Sequence, residues 1–370
     1  MLIVVGSFQD RGGLQGRLSR LATHLAQHRP VTVLTWSACT FPRYETREDG
    51  VAVVVVPSLL DWGRDHRPWA AAVNTAFSLL TGLVGAWIVR RGWSVAIAAG
   101  LQPEGSLAAL AARGRRRFVV TTWSVGPLGN AERVRAAAAG RLVLRLLRGA
   151  RWFVPQTEEA AAELLKLGVS SDRIRVVGAA VDLRRFQPSR DSRATLRSEG
   201  TPRGIAAYTG RFDLRNKRLD LLIQARRAAG LDGWELRLTG AGPDLPELKR
   251  MAGTDRSIRF FGWQDDVLPV LRLADVFVLP TRNESMPNAL VEAMACGLPG
   301  VVSATPGLAA RHPAGVLLVA NEEPAWTHGL RTIADLDESS RRERGAQARA
   351  WAQANADSER ANATWETLVS

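Results

Sequence analysis

ADVFVLPTRNESMPNALVEAMACGLPGVVS, residues Ala274 to Ser303, reads as strand, loop, helix, strand. Asp275 to Pro280 is a short β-branched and apolar run of the kind a parallel strand buried on both faces uses, and Gly300 to Ser303 is its successor. Between them the spacing predicts a helix over 287–296. Pro287 fits its first position, where no amide donor is needed, Gly297 fits the left-handed stop, and Pro299 bars continuation. The polar TRNESM then lies at the carboxyl end of a strand, where open α/β sheets bind ligands.

Two carboxylates frame this helix, Glu284 in the loop and Glu292 on the second turn. Eight residues of continuous helix would separate them by ~12 Å of rise, beyond the ~5–9.5 Å of a hydrolase acid/base pair. The arrangement suits an extended polar ligand, with the amides of Met286, Asn288 and Ala289 facing an anion at the positive helix end. The plain alternative is an ordinary loop glutamate and a surface glutamate on an amphipathic helix.

Upstream, Ile205–Thr209 is strand-like and leads into Gly210-Arg211-Phe212-Asp213-Leu214-Arg215-Asn216-Lys217-Arg218-Leu219-Asp220. Trp234–Thr239 leads into Gly240-Ala241-Gly242-Pro243, and Ile258–Phe261 into Gly262-Trp263. Further back, Leu2–Gly6, Val31–Thr35, Val51–Val56, Val95–Ala99, Phe118–Thr122, Arg151–Pro155 and Ile174–Val177 alternate with helical patterns, which implies a doubly wound parallel sheet. Gly12-Gly13 follows the first strand and can bring backbone amides close to a phosphate. The polar stretch 184–203 is the natural linker between a first domain, 1–183, and a second, 204–350, with a final helix over 351–370.

ESMPNALVEAMACGLPGVV resembles the donor-site motif E-G/S-x-P-x-x-x-x-E-A-x-A-x-G-x-P-V-V of retaining glycosyltransferases of family 4. Residues 210–222 resemble that family's G-R-L-x-x-x-K-G-x-D-x-L, Gly240–Pro243 its G-x-G-P turn, and 173–188 its end-of-domain signature, with Gly178-Ala179-Ala180 in place of Pro-Asn-Gly. The resemblance implies the GT-B architecture: two Rossmann-like α/β domains with parallel sheets facing a central cleft, and a last helix that crosses back to the first domain. It implies a metal-independent, retaining, hexosyltransferase-type reaction with a UDP- or GDP-sugar as co-substrate and no other cofactor. Arg211 and Lys217 would bind the donor diphosphate, Glu284 the donor sugar and Glu292 the ribose hydroxyls. Ser285, Met286, Pro287, Asn288 and Ala289 would line the donor, Gly262 and Trp263 would meet the nucleobase, and Gly12 and Gly13 would reach the donor from the other domain. Arg211, Lys217 and Glu284 are the catalytic candidates. Many members carry a histidine where Trp123 stands here. That substitution fits an acceptor pocket adapted to another sugar or lipid, or a sugar-nucleotide binding protein that has lost turnover. After Ser303 the resemblance thins, and Gly307 is the remaining candidate for a pyrophosphate contact. Asp335-Leu336-Asp337 has the Asp-x-Asp spacing of metal-dependent transferases but lies in a polar helical stretch and reads as solvated surface.

The 370 residues exceed what one core usually supports. Cys39 and Cys296 stand far apart with no CxxC and no histidine cluster, which argues for a reducing compartment and against a structural metal. The start reads as a strand rather than a signal peptide, so a cytoplasmic location is expected. The apolar run 69–89 is broken by Asn74, Thr75, Ser78 and glycines and reads as a buried or interfacial helix rather than a span. Residues 1–190 hold 26 Lys and Arg against 13 Asp and Glu, whereas 191–370 hold 23 of each. Arg113, Arg115, Arg116 and Arg117 make a dense patch, and Arg133, Arg135, Arg141, Arg145 and Arg148 a helical series. An anionic membrane surface, an acidic acceptor and nucleic acid are the partners such a basic half suits. No helix-turn-helix, zinc-knuckle or RNP-like string supports nucleic acid. A sugar, lipid-linked or polysaccharide acceptor, met at the inner face of the membrane, is the expectation.

Overall fold

Apolar runs of four to six residues separated by helices leave little choice but parallel sheets covered on both faces. The computed structural model describes residues 1–6, 13–37, 41–58, 77, 80–85, 87, 93–112, 117–122, 125, 129–137, 139–189 and 202–370. These fall into two units, Met1–Val177 with Asn362–Ser370, and Gly178–Ala361.

In the first unit β1 (Leu2–Val5), β2 (Thr32–Ser37), β3 (Arg43–Thr46), β4 (Ala52–Pro57), β5 (Val95–Ala98), β6 (Arg117–Thr122) and β7 (Trp152–Pro155) form one sheet in the order β3-β4-β2-β1-β5-β6-β7. All pairs are parallel except β3 with β4. The central LIVV and VAIA are buried along their whole length. Strand order reverses between β1 and β5, so the carboxyl ends of these two strands form the switch point at which α/β sheets open to ligands.

The second unit is a six-stranded parallel sheet, β10-β9-β8-β11-β12-β13, built from β8 (Gly204–Thr209), β9 (Trp234–Thr239), β10 (Ile258–Gly262), β11 (Val276–Leu279), β12 (Gly300–Ser303) and β13 (Val316–Val319). Here the order reverses between β8 and β11. The buried Asp275 clamps the other end of that pair: its carboxylate accepts from the Ile205 amide at 2.7 Å, and its amide donates to the Ile205 carbonyl at 2.8 Å.

Four expectations change. The helix over 287–296 runs Asn288–Ala295, with Pro287 extended (φ −70°, ψ 134°) as its cap; the proline ring fixes φ but leaves ψ free to continue the loop. Gly297 takes the left-handed φ of 71°. Ile174–Val177 is not a strand: Ile174 makes an isolated bridge to Phe153, and the Arg175 and Val177 amides donate to Phe153 and Pro155, an edge contact cut short where the chain passes to the second unit. The strand β3 carried no apolar signal because all four of its residues are exposed. The tail is helical, as its Ala, Arg and Glu content from Ser339 to Thr364 implies, but the last helix starts at Ser358 rather than 351, after a first one over Glu338–Asn355. They part because the Val181 amide donates to the Ala356 carbonyl at 2.9 Å and the Ser358 amide to the Val181 carbonyl at 3.1 Å. Val181 and Ala179 thereby join the second core, so 178–183 belong to the second unit, while residues from Asn362 onward belong to the first. Of the stretch read as linker, 190–201 lie outside the described residues.

Candidate functional site

The carboxyl ends of β8, β9 and β10 are tied together by main chain alone. The Gly210 amide donates to the Thr239 carbonyl at 3.0 Å, Phe212 to Ala241 at 2.9 Å, and Gly240 to Gly262 at 2.7 Å. Only glycine permits this spacing at Gly240, where a Cβ would stand 1.8 Å from the Gly210 carbonyl oxygen at a φ of 147°. The glycines of the G-R-F and G-x-G-P strings therefore bring backbone against backbone.

On this frame Asp213 caps the short helix Leu214–Lys217, its carboxylate accepting from the Arg215 amide at 3.1 Å, while Asp244 accepts from the Leu214 amide at 2.7 Å. The two caps present Lys217 at the helix end, and Lys217 Nζ donates to Glu284 Oε1 in an ion pair with both side chains partly buried. Two residues 67 positions apart in sequence are thus neighbours. The loops bearing them are joined again through main chain, since the Asn216 carbonyl accepts from the Arg282 amide at 2.8 Å. Thr305 Oγ1 donates to the Glu284 carbonyl at 2.5 Å and accepts from the Leu308 amide at 3.4 Å, so the helix Pro306–Arg311 braces the Glu284 loop. Gly307 is a packing position in that helix, where a Cβ would come within 2.7 Å of Ser285 Cα.

Arg211 is exposed beside this pair in sequence, and its carbonyl accepts from the Tyr208 hydroxyl at 2.7 Å. Burial, then the charges of Glu284 and Asp213, hold the Tyr208 phenol well above its ordinary value, so it stays a donor and fixes the Arg211 backbone. Ser285, Met286 and Pro287 are buried; Asn288, Ala289 and Glu292 are half-buried on the helix that follows, whose first-turn amides lie at its positive end. Trp263 is half-buried, its Nε1 donating to Asp265 at 2.8 Å, and Gly262 takes a φ of 67° with open space around its Cα. Arg218, at the position where the family motif carries glycine, adopts a left-handed φ of 36° and ψ of 40°, its Nε donating to both Asp220 oxygens at 3.1 Å. Asp337 caps the helix Glu338–Asn355 by accepting from Ser340 and Ser339, which gives it a structural task.

Gly13 is the first residue of the helix Gly13–Ala26 in the first unit; Gly12 and Trp123 lie outside the described residues. So do Arg113, Arg115 and Arg116, whereas Arg117 is exposed. In the helices Asn130–Ala136 and Gly140–Leu147 and just beyond, Arg133, Arg135, Arg141, Arg145 and Arg148 are all exposed.

Sequence reading missed Glu104. It stands in the turn Leu101–Gly105 after β5, buried, with its carboxyl facing Gly6 at the end of β1 and Gly100 at the end of β5. Burial pushes it up to about 7, against the pull of its own and the Gly6 amide and of Arg133. An acidic residue within six positions of the end of a central strand was the available signal.

Two parallel-sheet α/β units, each with its polar groups at the carboxyl ends of the switch-point strands, define a GT-B fold. The whole chain superposes on Anabaena Alr3699/HepE, solved in complex with UDP and glucose, with a TM-score of 0.77 at 16% identity, covering 100% of this chain and 99% of that one. Residues 12–180 match the profile described as glycosyl transferase 4-like domain, and 203–335 that of glycosyl transferases group 1. The chain belongs to this family of glycosyltransferases. It is 32% identical over 205 residues to a D-inositol 3-phosphate glycosyltransferase of Saccharomonospora viridis, covering 49% of this chain and 47% of that one. It is 35% identical over 174 residues to a GDP-mannose-dependent alpha-(1-6)-phosphatidylinositol dimannoside mannosyltransferase of Mycobacterium tuberculosis, covering 45% of each. The chain thus spans about half the length of the curated relatives it matches.

Proposed function

We propose that the protein is a retaining, metal-independent glycosyltransferase that moves a hexosyl unit from a UDP- or GDP-sugar to a cell-envelope, polysaccharide or glycolipid acceptor. The observation that carries this reading is the Lys217–Glu284 pair, which joins the two strand-end loops that the family motifs assign to the donor diphosphate and the donor sugar. An arriving diphosphate offers Lys217 more negative charge than Glu284 does, and Glu284, relieved of its partner, turns to the sugar hydroxyls. Arg211 supplies a second cation, the amides at the start of Asn288–Ala295 face phosphate oxygens, and Glu292 takes the ribose. The leaving phosphate oxygen receives the acceptor proton, so the chain positions the reactants and neutralises developing charge.

The acceptor class is read from the first unit. Helical residues 80–85 and 87 press Gly82 against Trp36 and Leu107 and Gly85 against Leu34 and Val56, which turns Leu80, Leu83, Val84 and Trp87 outward at i, i+3, i+4 and i+7. An apolar face on a basic half suits the surface of an anionic membrane, reached from the cytoplasm. Among the described residues no helix is long and apolar enough to cross one.

Thermal unfolding with UDP-, GDP- and ADP-sugars tests the donor assignment, because a ligand at 100 times its dissociation constant stabilises by ~2.7 kcal/mol. One nucleotide series should stabilise the fold; folded protein that none of them stabilises would overturn the reading. Flotation with anionic liposomes at low salt, lost in Leu83→Gln with Trp87→Gln, is the expected result for the membrane, and no flotation of the wild type removes it.

A further inference from the structure

The first unit brings together three metal-ligating side chains that no step of the proposed transfer uses. His24 closes the helix Gly13–Ala26, His28 lies in the turn that follows, four positions on, and Glu366 reaches them from the last helix. His24 Nε2 lies 2.6 Å from Glu366 Oε1 and His28 Nε2 lies 3.7 Å from the same oxygen. The two rings meet edge to face, 5.7 Å between centroids, and the three ligand atoms all fall within 4.8 Å of one another. A single hydrogen bond from His24 would account for Glu366 but not for the second imidazole nitrogen turned toward the same oxygen.

We infer that His24, His28 and Glu366 form a zinc site that fastens the last helix to the first. Bonds of about 2.0–2.2 Å in tetrahedral geometry put ligand atoms about 3.3 Å apart. The present spacings bracket that value, and the side chains are 26%, 56% and 40% exposed, free enough to adjust by the remaining distance. Two imidazoles and one carboxylate suit Zn²⁺, whereas Mg²⁺ and Ca²⁺ demand oxygen ligands throughout. Three protein ligands leave the fourth position to water. The cation takes the place of the contact between His24 and Glu366: each imidazole binds through its Nε2 lone pair with the hydrogen on Nδ1, and any proton released goes to solvent. The net positive charge of this half of the chain opposes any cation, so affinity rests on the three direct bonds. Absence of a histidine cluster was the expectation from sequence; H-x-x-x-H was present at 24–28, and the fold adds the carboxylate from 338 residues further on.

The test is a Zn²⁺ titration of tag-free, chelator-stripped full-length protein by calorimetry, with Mg²⁺ as control, in the wild type, His28→Ala and Glu366→Gln. Hydrogen exchange of residues 362–370 is followed in parallel. His28 is the most exposed of the three, so its removal leaves folding intact. Expected are one Zn²⁺ per chain, no Mg²⁺ response, slower exchange in 362–370, and an affinity loss in His28→Ala larger than the about 10–100-fold that loss of an outer partner costs. Wild type that binds no Zn²⁺, or His28→Ala that binds it equally well through other side chains, would overturn the assignment.

Discussion

The carboxyl ends of the two sheets are built by opposite means. In the second unit the four loops after β8, β9, β10 and β11 interlock through main-chain hydrogen bonds, and the charged side chains Arg211, Lys217 and Glu284 stay partly or fully exposed on that frame. In the first unit β1 and β5 close on one carboxyl group, Glu104, buried and inclined to keep its proton. Charge that must be handed to a ligand is held where it can be released; a carboxyl that fills a turn is held where it is worth least to ionise.

The contrast breaks most severely if these two cations turn out to be ornamental. Arg211→Ala and Lys217→Ala should each lower transfer about 10²–10³-fold, the usual loss for one electrostatic contact to developing charge. Because Arg211 is exposed, its variant should unfold in urea within about 0.5 kcal/mol of wild type. Full turnover by the double variant would end the donor-site assignment.

For the buried carboxyl the signature is pH. Its folded value near 7 exceeds the ordinary 4.5, so between those values the unfolded chain has released a proton that the folded chain retains. Raising pH through this window therefore favours unfolding. The stability present below pH 4.5 is lost by about pH 7, on the order of 3 kcal/mol at 1.36 kcal/mol per unit. Glu104→Gln, neutral at every pH, should flatten that slope in urea unfolding at pH 5 and pH 8; an unchanged slope would assign the dependence elsewhere.

Smaller effects sharpen the donor side. Glu292→Gln should weaken nucleoside diphosphate binding by ~1.5–3 kcal/mol, the range for a hydrogen bond to a charged group, and equal binding by calorimetry would remove its ribose role. Arg218→Gly exchanges a left-handed arginine, which costs about 1–2 kcal/mol, for the residue that adopts this conformation freely, while losing the contact to Asp220. A net gain of about 0.5–1 kcal/mol in urea unfolding is expected, and a loss would show that the Asp220 contact outweighs the strain.

What could be read from sequence was what is local. The string 274–303 carries its strand, its helix stop at Gly297 and the polar loop between strand and helix within thirty consecutive residues, each marked by residue types with a plain physical use. The Lys217–Glu284 pair was not legible as a pair, since it depends on which two strands the sheet sets side by side. Glu104 carried no motif: its meaning comes from Gly6, nearly a hundred positions earlier. The break at Ala356 escaped because Val181, far away in sequence, supplies the competing hydrogen bonds. The polar strand β3 has no buried face for a hydrophobic period to mark.

The main-chain contact of Gly240 with Gly210 also governs how this protein can change. No single side chain can be introduced at Gly240 without displacing the neighbouring loop, so drift at that junction is closed one step at a time. Beyond β10 the packing is looser at one point: a Cβ at Gly262 would meet nothing within 4 Å, and Trp263 Nε1 donates to Asp265, whereas Asp266 is tied down by accepting from the Leu268 amide at 2.9 Å. On the proposed donor site, new ligand preferences are therefore sought by varying 263–265 while 210 and 240 stay glycine, and a library confined to those three positions leaves the Gly240–Gly210 contact and the Asp266 contact in place.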